Sequence, residues 1–424
     1  MTRHWVPAMT MLLAAGLPAP AAAAACRPGV YGTDRANPMV VGVASAPAER
    51  RYLFRDGRRG AVGADGSPVE CDADIVVIKA DDGTETRLLR LETRETDTAF
   101  DSASTTLSGR LIEPAGAVDP HRPLVVLVHG SEKTAAVGSV YSYMLAAQGI
   151  SVFVYDKRGT GASGGDYTQN FELLADDAAA ALRHARGLAA GRFGRSGYFG
   201  GSQGGWVAPL AATRSPADFA AIGFGLVVSP IDEDREQLLD EARRLKLDPA
   251  SIAQVEQLSG ATATLLRSHF ASGYEALEGI RGAIGDAAWA SKINGEHSGE
   301  MLRMSDTDLR RVGRARFDNL ELIWDYDAAA ALKRLKVPLL WVLAAEDREA
   351  PIGRTRAILA ELASGGRSVD AYIFPATDHG MFEYRVNPDG SRTATRIADG
   401  YLRLLADWIK GDVNGQYGRA SKLR

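Results

Sequence analysis

Short apolar runs recur through the middle and late chain: Leu124-Val-Val-Leu-Val128, Ser151-Val-Phe-Val-Tyr155, Gly197 to Phe199, Ala221 to Val228, Val337 to Leu343 and Asp370 to Phe374. They are continuous rather than alternating, which predicts strands buried on both faces, as in a parallel sheet. Between them lie stretches of helical spacing: Val140 to Gln148, Phe171 to Ala189, and the run from Trp206. Strand and helix in alternation predict an α/β fold, a mostly parallel sheet with helices on both faces, over residues 104–231 and 325–412. The alternation stops at 232–324. Polar, helix-like segments fill that stretch, and Ser305-Asp-Thr-Asp308 has the shape of a capping box. A helical cap insertion is expected there, over one end of the sheet. Upstream, residues 26–103 read as a small β-rich domain, because apolar runs such as Arg51 to Phe54 and Ala73 to Ile78 are separated by Asp-Gly turns. Ala394 to Lys410 reads as a closing amphipathic helix and 413–424 as a polar tail.

The N-terminus has another texture. Arg3 and His4 precede the apolar Met9 to Leu17, and Pro18 to Ala25 is almost all alanine and proline. This is the layout of a signal peptide over residues 1–25, so the protein is expected to be exported, periplasmic or secreted. Lipid anchoring at Cys26 is the lesser alternative, since Ala23 stands where Leu is usual in a lipoprotein box. Cys26 and Cys71 are the only cysteines. In an exported chain an even pair reads as a disulfide. A net charge of −4 and a pI near 6.0 leave no basic footprint for nucleic acid. No apolar run reaches the roughly 18 residues of a membrane span. No metal-ligand spacing occurs, and no metal or other cofactor is expected; the oligomeric state is open.

In parallel α/β sheets, reactive groups collect beyond the carboxyl ends of the strands. Gly200-Gly-Ser202-Gln-Gly204 matches G-x-S-x-G, with a short strand before it and a helix-prone run after it. That context makes Ser202 the candidate nucleophile at an elbow. A second match, Gly161-Ala-Ser163-Gly-Gly165, leads into no helix. It lies in Asp156-Lys-Arg-Gly-Thr-Gly-Ala-Ser163, read as a loop braced by an Asp/Arg pair. Of the seven histidines, only His379 follows a late strand in a glycine-containing turn, so it is the candidate base. Asp347, after the Leu339–Leu343 run, is the preferred acid, with Glu346, Asp378 and Asp232 as competitors. The oxyanion hole is expected from the backbone N–H groups of Gln203, which follows the nucleophile, and Ser131, which follows His129-Gly130.

Val125-Val-Leu-Val-His-Gly-Ser131, Asp156-x-Arg-Gly-x-Gly-x-Ser163, the elbow, Glu346-Asp347 with Pro351, and Asp378-His379-Gly380 together resemble the α/β-hydrolase superfamily. More narrowly, they are similar to bacterial serine esterases related to the prolyl-oligopeptidase and dipeptidyl-peptidase catalytic domains. The resemblance spans about residues 105 to 410. One departure is Gly201, where such families often carry His, Glu or Asp. It implies hydrolysis of an ester, thioester or amide through an acyl-enzyme, without a cofactor. The expected function is therefore a serine hydrolase cleaving small-molecule carboxylic esters, with the helical insertion walling the acyl pocket. The alternatives are a peptidase or acyl-aminoacyl hydrolase on the same triad, or a non-catalytic envelope binding protein on a hydrolase scaffold.

Overall fold

The computed structural model describes residues 26–34, 37–44, 49–72 and 74–423; the expected signal segment, 1–25, lies outside them. Seven short strands come first: β1 (Gly29–Gly32), β2 (Met39–Val43), β3 (Arg50–Phe54), β4 (Arg59–Ala61), β5 (Val69–Asp72), β6 (Ile75–Lys79) and β7 (Glu85–Leu91). They form one antiparallel sheet in the order β4-β3-β2-β1-β7-β6-β5. One face buries Cys26, Tyr31, Met39, Val41 and Val69. The Cys26–Cys71 disulfide, with Cα atoms 5.3 Å apart, ties the entry of β1 to β5. The other face sends Val30, Val40 and Leu53 into the core of the second sheet.

That second sheet begins with the hairpin β8 (Thr93–Ser102) and β9 (Thr105–Pro114), followed by β10 (Leu124–Val128), α1 (Val140–Ala147), β11 (Ser151–Tyr155), α2 (Phe171–Leu188), β12 (Ser196–Gly201), α3 (Gly204–Arg214) and β13 (Phe219–Gly223). Helices α4 (Pro230–Arg244), α5 (Pro249–Arg267), α6 (Tyr274–Ile284), α7 (Ser298–Arg303) and α8 (Asp306–Phe317) intervene, with a core of their own that includes Leu238, Val255, Leu265 and Leu309. Then come α9 (Ala328–Arg334), β14 (Leu339–Ala344), α10 (Gly353–Ser364), β15 (Val369–Phe374), a small antiparallel unit of β16 (Thr377–Asp378), β17 (Phe382–Val386) and β18 (Arg392–Ile397), α11 (Tyr401–Lys410) and β19 (Ser421–Lys422).

The strand order β19-β15-β14-β13-β12-β10-β11-β9-β8 contains six parallel strands flanked by antiparallel ones. The apolar runs are continuous because alternate residues face opposite layers. Val126, Tyr198, Ile222 and Trp341 point to the α2/α3 side, and Val125, Phe199, Ala221 and Val342 to the α1/α11 side. The chain leaves β10 toward β11 on one side and later returns to β12 on the other. This reversal opens a crevice at the carboxyl ends of β10 and β12, where Val128 is paired with Gly200.

Three expectations change. Residues 93–102 belong to the nine-stranded sheet, because Thr93–Ser102 pairs along its whole length with β9, so a boundary after 103 would cut a hairpin. Residues 394–397 continue a strand, and the helix starts only at Tyr401, after Gly400 with φ of 87°. Part of the polar tail is an edge strand: β19 pairs with Tyr372 and Ile373, and Lys422 lies 2.5 Å from Asp370.

Closing a loop of 45 residues, the disulfide is worth about 4 kcal/mol in chain entropy. Replacing Cys26 and Cys71 by Ser is expected to cost about 3–4 kcal/mol. Denaturant unfolding followed at the N-terminal tyrosines checks this, and reduction should reproduce the loss.

Candidate active site

Ser202 leaves β12 with a left-handed backbone, φ 51°. For a residue with a Cβ, that conformation costs on the order of 1–2 kcal/mol. Two glycines make the turn possible. A Cβ on Gly200 would lie 2.4 Å from the Gly204 carbonyl oxygen, and one on Gly204 would lie 2.4 Å from that of Val128. The Ser202 N–H donates to the Gly223 carbonyl at 3.2 Å, and the Ser202 carbonyl accepts from the Gly205 N–H at 2.7 Å. The hydroxyl is thereby thrown above the sheet, at the mouth of the crevice. Ser163, the other match, is structural: its Oγ donates to the Asp156 carbonyl at 2.7 Å and accepts from the Ser108 N–H at 2.8 Å.

His379 sits in the turn after β16. Its Nε2 is 3.1 Å from Ser202 Oγ and its Nδ1 is 3.0 Å from Asp347 Oδ2. Asp347 is buried, and its other oxygen accepts the N–H groups of Glu349 (3.0 Å) and Ala350 (2.7 Å). With Nδ1–H donating to that fixed carboxylate, Nε2 is left as an acceptor toward Ser202. Burial by itself would lower the His379 pKa. The hydrogen bond and charge of Asp347, with Glu349 and Asp378 adding, outweigh it and raise the imidazole above its ordinary 6.5. Phe224 packs edge-on to the ring, with centroids 5.2 Å apart.

The competing acids have other partners. Asp378 accepts the Arg348 and His379 N–H groups and pairs with Arg392 at 2.8 Å. Glu346 pairs with the same Arg392 at 3.0 Å and hydrogen-bonds the Tyr384 hydroxyl. Asp232 pairs with Arg354 at 2.5 Å. Among the other histidines, His129 is buried and pushed down to about 3 by burial and the Lys157 charge; it stays neutral, with Nε2 3.2 Å from the Tyr155 carbonyl. Among the described residues, no group of three or more His, Cys, Asp or Glu side chains is arranged to hold a metal ion, and no helix is long and apolar enough to cross a membrane.

The Gly130–Ser131 loop lies against the elbow: a Cβ on Gly130 would be 3.3 Å from that of Ser202. The N–H groups of Gln203 and Ser131 donate to no acceptor among the described residues. Sequence reasoning missed Lys157. Its buried ammonium donates to the Gly130 carbonyl at 2.5 Å, and burial lowers its pKa to about 8 against the opposing effect of Glu132. The expected Asp/Arg brace around it is differently made. Arg158 forms its ion pair with Asp177 on α2, at 2.6 Å and almost fully buried. Asp156 instead accepts three backbone N–H groups, those of Ala136, Val137 and Ala162. The motif was legible, but its partners were not, because Asp177 is a helix position with no local signal.

A cavity of about 280 Å³ opens beside Ser202. Residues 232–324 contribute nothing to its lining, contrary to the expectation that the helical insertion walls the acyl pocket. Its outer wall is Val43, Ala44 and Arg51 of the N-terminal sheet, facing Phe199, Phe224 and Tyr141. The insertion meets the site on the opposite, histidine side. There Gln237 bridges the Glu296 carboxylate (2.9 Å) and the Glu349 carbonyl (2.6 Å), and the Glu349 carboxylate lies 3.5 Å from His379 Nε2. Burial, with Glu296, Glu349 and Asp347 adding, raises the Glu233 carboxyl well above the usual carboxylate range.

Residues 119–246 match the family model described as serine aminopeptidase, S33. No curated protein matches the chain. Similar solved structures include an acylaminoacyl peptidase of Pyrococcus horikoshii, 16% identical over 79% of this chain and 44% of that one, with a TM-score of 0.41. An esterase of Pyrococcus furiosus is 14% identical over 68% of this chain and 83% of its own, with a TM-score of 0.41. Est1E of Butyrivibrio proteoclasticus, solved with ferulic acid bound, is 14% identical over 74% and 96%, with a TM-score of 0.40. The chain spans less than half the length of the acylaminoacyl peptidase. The strand order and the family match over residues 119–246 agree: the chain has the α/β-hydrolase fold.

Proposed function

We propose that the protein is a serine hydrolase that cleaves carboxylic esters through an acyl-enzyme. The observation that carries this is the His379 ring, held by buried Asp347 at one nitrogen and 3.1 Å from Ser202 Oγ at the other. A serine hydroxyl becomes a useful nucleophile only when such a base takes its proton. Ser202 Oγ attacks the acyl carbon as its proton moves to His379 Nε2. The imidazolium that forms is stabilised by Asp347 and then gives that proton to the departing alkoxide. Water, deprotonated by the same nitrogen, releases the acid and restores Ser202.

Negative charge developing on the acyl oxygen is met by the N–H groups of Gln203 and Ser131. Donors fixed in advance need no reorganisation as that charge appears. Lys157 supports this role for Ser131. The Gly130 carbonyl that it holds and the Ser131 N–H belong to the same peptide unit, so fixing one end orients the other and draws electron density away from the N–H. The Cys26–Cys71 disulfide supports an oxidising compartment, in keeping with export directed by residues 1–25.

A second reading, hydrolysis of an amide beside a free amine, is favoured by one feature. Glu233, Glu296 and Glu349 crowd the histidine side of the site, and a substrate ammonium would relieve their mutual repulsion.

A fluorophosphonate probe is expected to label the wild type and not Ser202→Ala; persistence of the label in the variant would defeat the proposal. On the labelled site, p-nitrophenyl esters compared with aminoacyl p-nitroanilides decide between ester and amide. The pH profile gives a second expectation. Because His379 must be neutral to act as base, kcat/KM rises with pH through its pKa, so the acidic limb lies above 6.5. Removing one carboxylate by Glu349→Gln should move that limb to lower pH. Finally, Lys157→Met is expected to lower kcat by about 10–100-fold with little change in KM, as for weakening one oxyanion donor.

A further inference from the structure

The cavity beside Ser202 has a polar region that the hydrolytic mechanism does not use. Its wall is fixed by backbone contacts. The Val43 N–H donates to the Gly138 carbonyl at 2.9 Å, and a Cβ on Gly42 would come within 2.6 Å of the Val140 nitrogen. The end of β2 is therefore pressed onto the loop that leads into α1, and Val43, Ala44 and Arg51 are held against the catalytic sheet rather than hung beside it.

Arg51 has no carboxylate partner among the described residues, although 30 ion pairs are present elsewhere. Arg59 has none either; its guanidinium lies over the Phe382 ring, 4.3 Å from the centroid. Burial and the Arg51 charge both pull the Arg59 guanidinium below its ordinary value, so the two cations feel each other with no acid between them. The Tyr141 hydroxyl interacts electrostatically with Arg59, and its side chain lines the same cavity as Arg51. That hydroxyl has no hydrogen-bond partner among the described residues. Glu132 is the one carboxylate lining the cavity among the described residues. It sits next to Gly130, where its charge acts on the Lys157 ammonium and also on the Tyr141 hydroxyl, against the Arg59 charge that acts on the same hydroxyl. The rest of the lining is largely apolar, from Leu127, Val154, Phe199 and Phe224. Two unpaired guanidinium groups and a free phenol beside an apolar cavity suit a carboxylate, which a guanidinium can bind through two parallel hydrogen bonds.

We propose that this cavity receives the acyl part of the substrate and that Arg51, with the Tyr141 hydroxyl, selects acyl groups ending in a carboxylate, so that half-esters of short dicarboxylic acids are the preferred substrate class. The proposal rests on the serine-hydrolase reading of Ser202. It makes the N-terminal sheet a part of the binding site, with Arg51 as a specificity residue that touches the far end of the acyl chain and takes no part in proton transfer.

The test compares p-nitrophenyl esters of hexanoic and adipic acid, which share a leaving group and a chain length and differ in the terminal carboxylate. The wild type is expected to favour the adipate by about tenfold or more in kcat/KM, the size a charge-assisted contact confers. Arg51→Gln should bring the ratio close to one, and Arg51→Glu should invert it. Should Arg51→Gln fail to fold, Arg51→Lys and Tyr141→Phe carry the same test, each with a reduced but measurable preference. A wild type that favours hexanoate, or an Arg51→Gln that slows both esters equally, overturns the proposal and leaves the hydrolase reading standing. Absence of fluorophosphonate labelling at Ser202 removes both.

Discussion

The left-handed backbone at Ser202 is the constraint on which the site depends. It is an unfavourable conformation, and the fold supports it from every side: β12 ends there, α3 starts two residues later, and bare glycines occupy the two positions where backbone meets backbone. The same crowding brings Gly130 against Ser202, so the two loops at the switch point of the sheet are packed as one object. Neither loop can relax alone. This is why the hydroxyl and the surrounding N–H groups can be pre-positioned without a bound substrate to organise them.

Around that point the charges are divided. On the histidine side stand Asp347, Asp378, Glu349, Glu296 and Glu233; the first three raise the imidazole, and burial with the neighbouring carboxylates raises Glu233 and Glu349. On the cavity side stand Arg51, Arg59 and Lys157, with Glu132 alone against them. In the proposed reaction, a substrate lying across Ser202 would span a field negative toward its leaving group and positive toward its acyl end. Such fields act at short range: Lys157 is buried and little screened by water, whereas Arg51 and Glu132 are exposed and screened more strongly. Orientation of the bound molecule follows from the division as much as from shape.

The parallel sheet was legible because strands buried on two faces are written as unbroken apolar runs, and the residues that follow them stood out for the same reason. Ser202, Asp347 and His379 were singled out in that way, and the structure places the three side chains within hydrogen-bonding distance of one another in series. Long-range partners were less visible. Arg158 could have paired with any nearby acid, and only the packing of α2 brings Asp177 to it. Lys157 was seen as one letter of a loop motif, yet its role depends on a carbonyl 27 residues earlier. The hairpin of β17 and β18 was hidden by polar composition, since its strands are largely exposed and carry little apolar signal. The pocket wall was misassigned because a strand end that docks through backbone atoms leaves no side-chain pattern to read.

One edge of the catalytic sheet bears on how the protein can be handled. β19 is only two residues long, yet it pairs with Tyr372 and Ile373, Lys422 closes on Asp370, and the Leu423 N–H donates to the Ala371 carbonyl at 2.8 Å. The strand it borders, β15, runs straight into the turn that presents His379. Residues 417–423 are thus a brace against the strand that aims the histidine, and not free chain. An affinity handle fused directly behind Leu423, or a truncation made there for crystallisation, would pull on the strand that aims His379; fusions are better placed where no strand continues into the site.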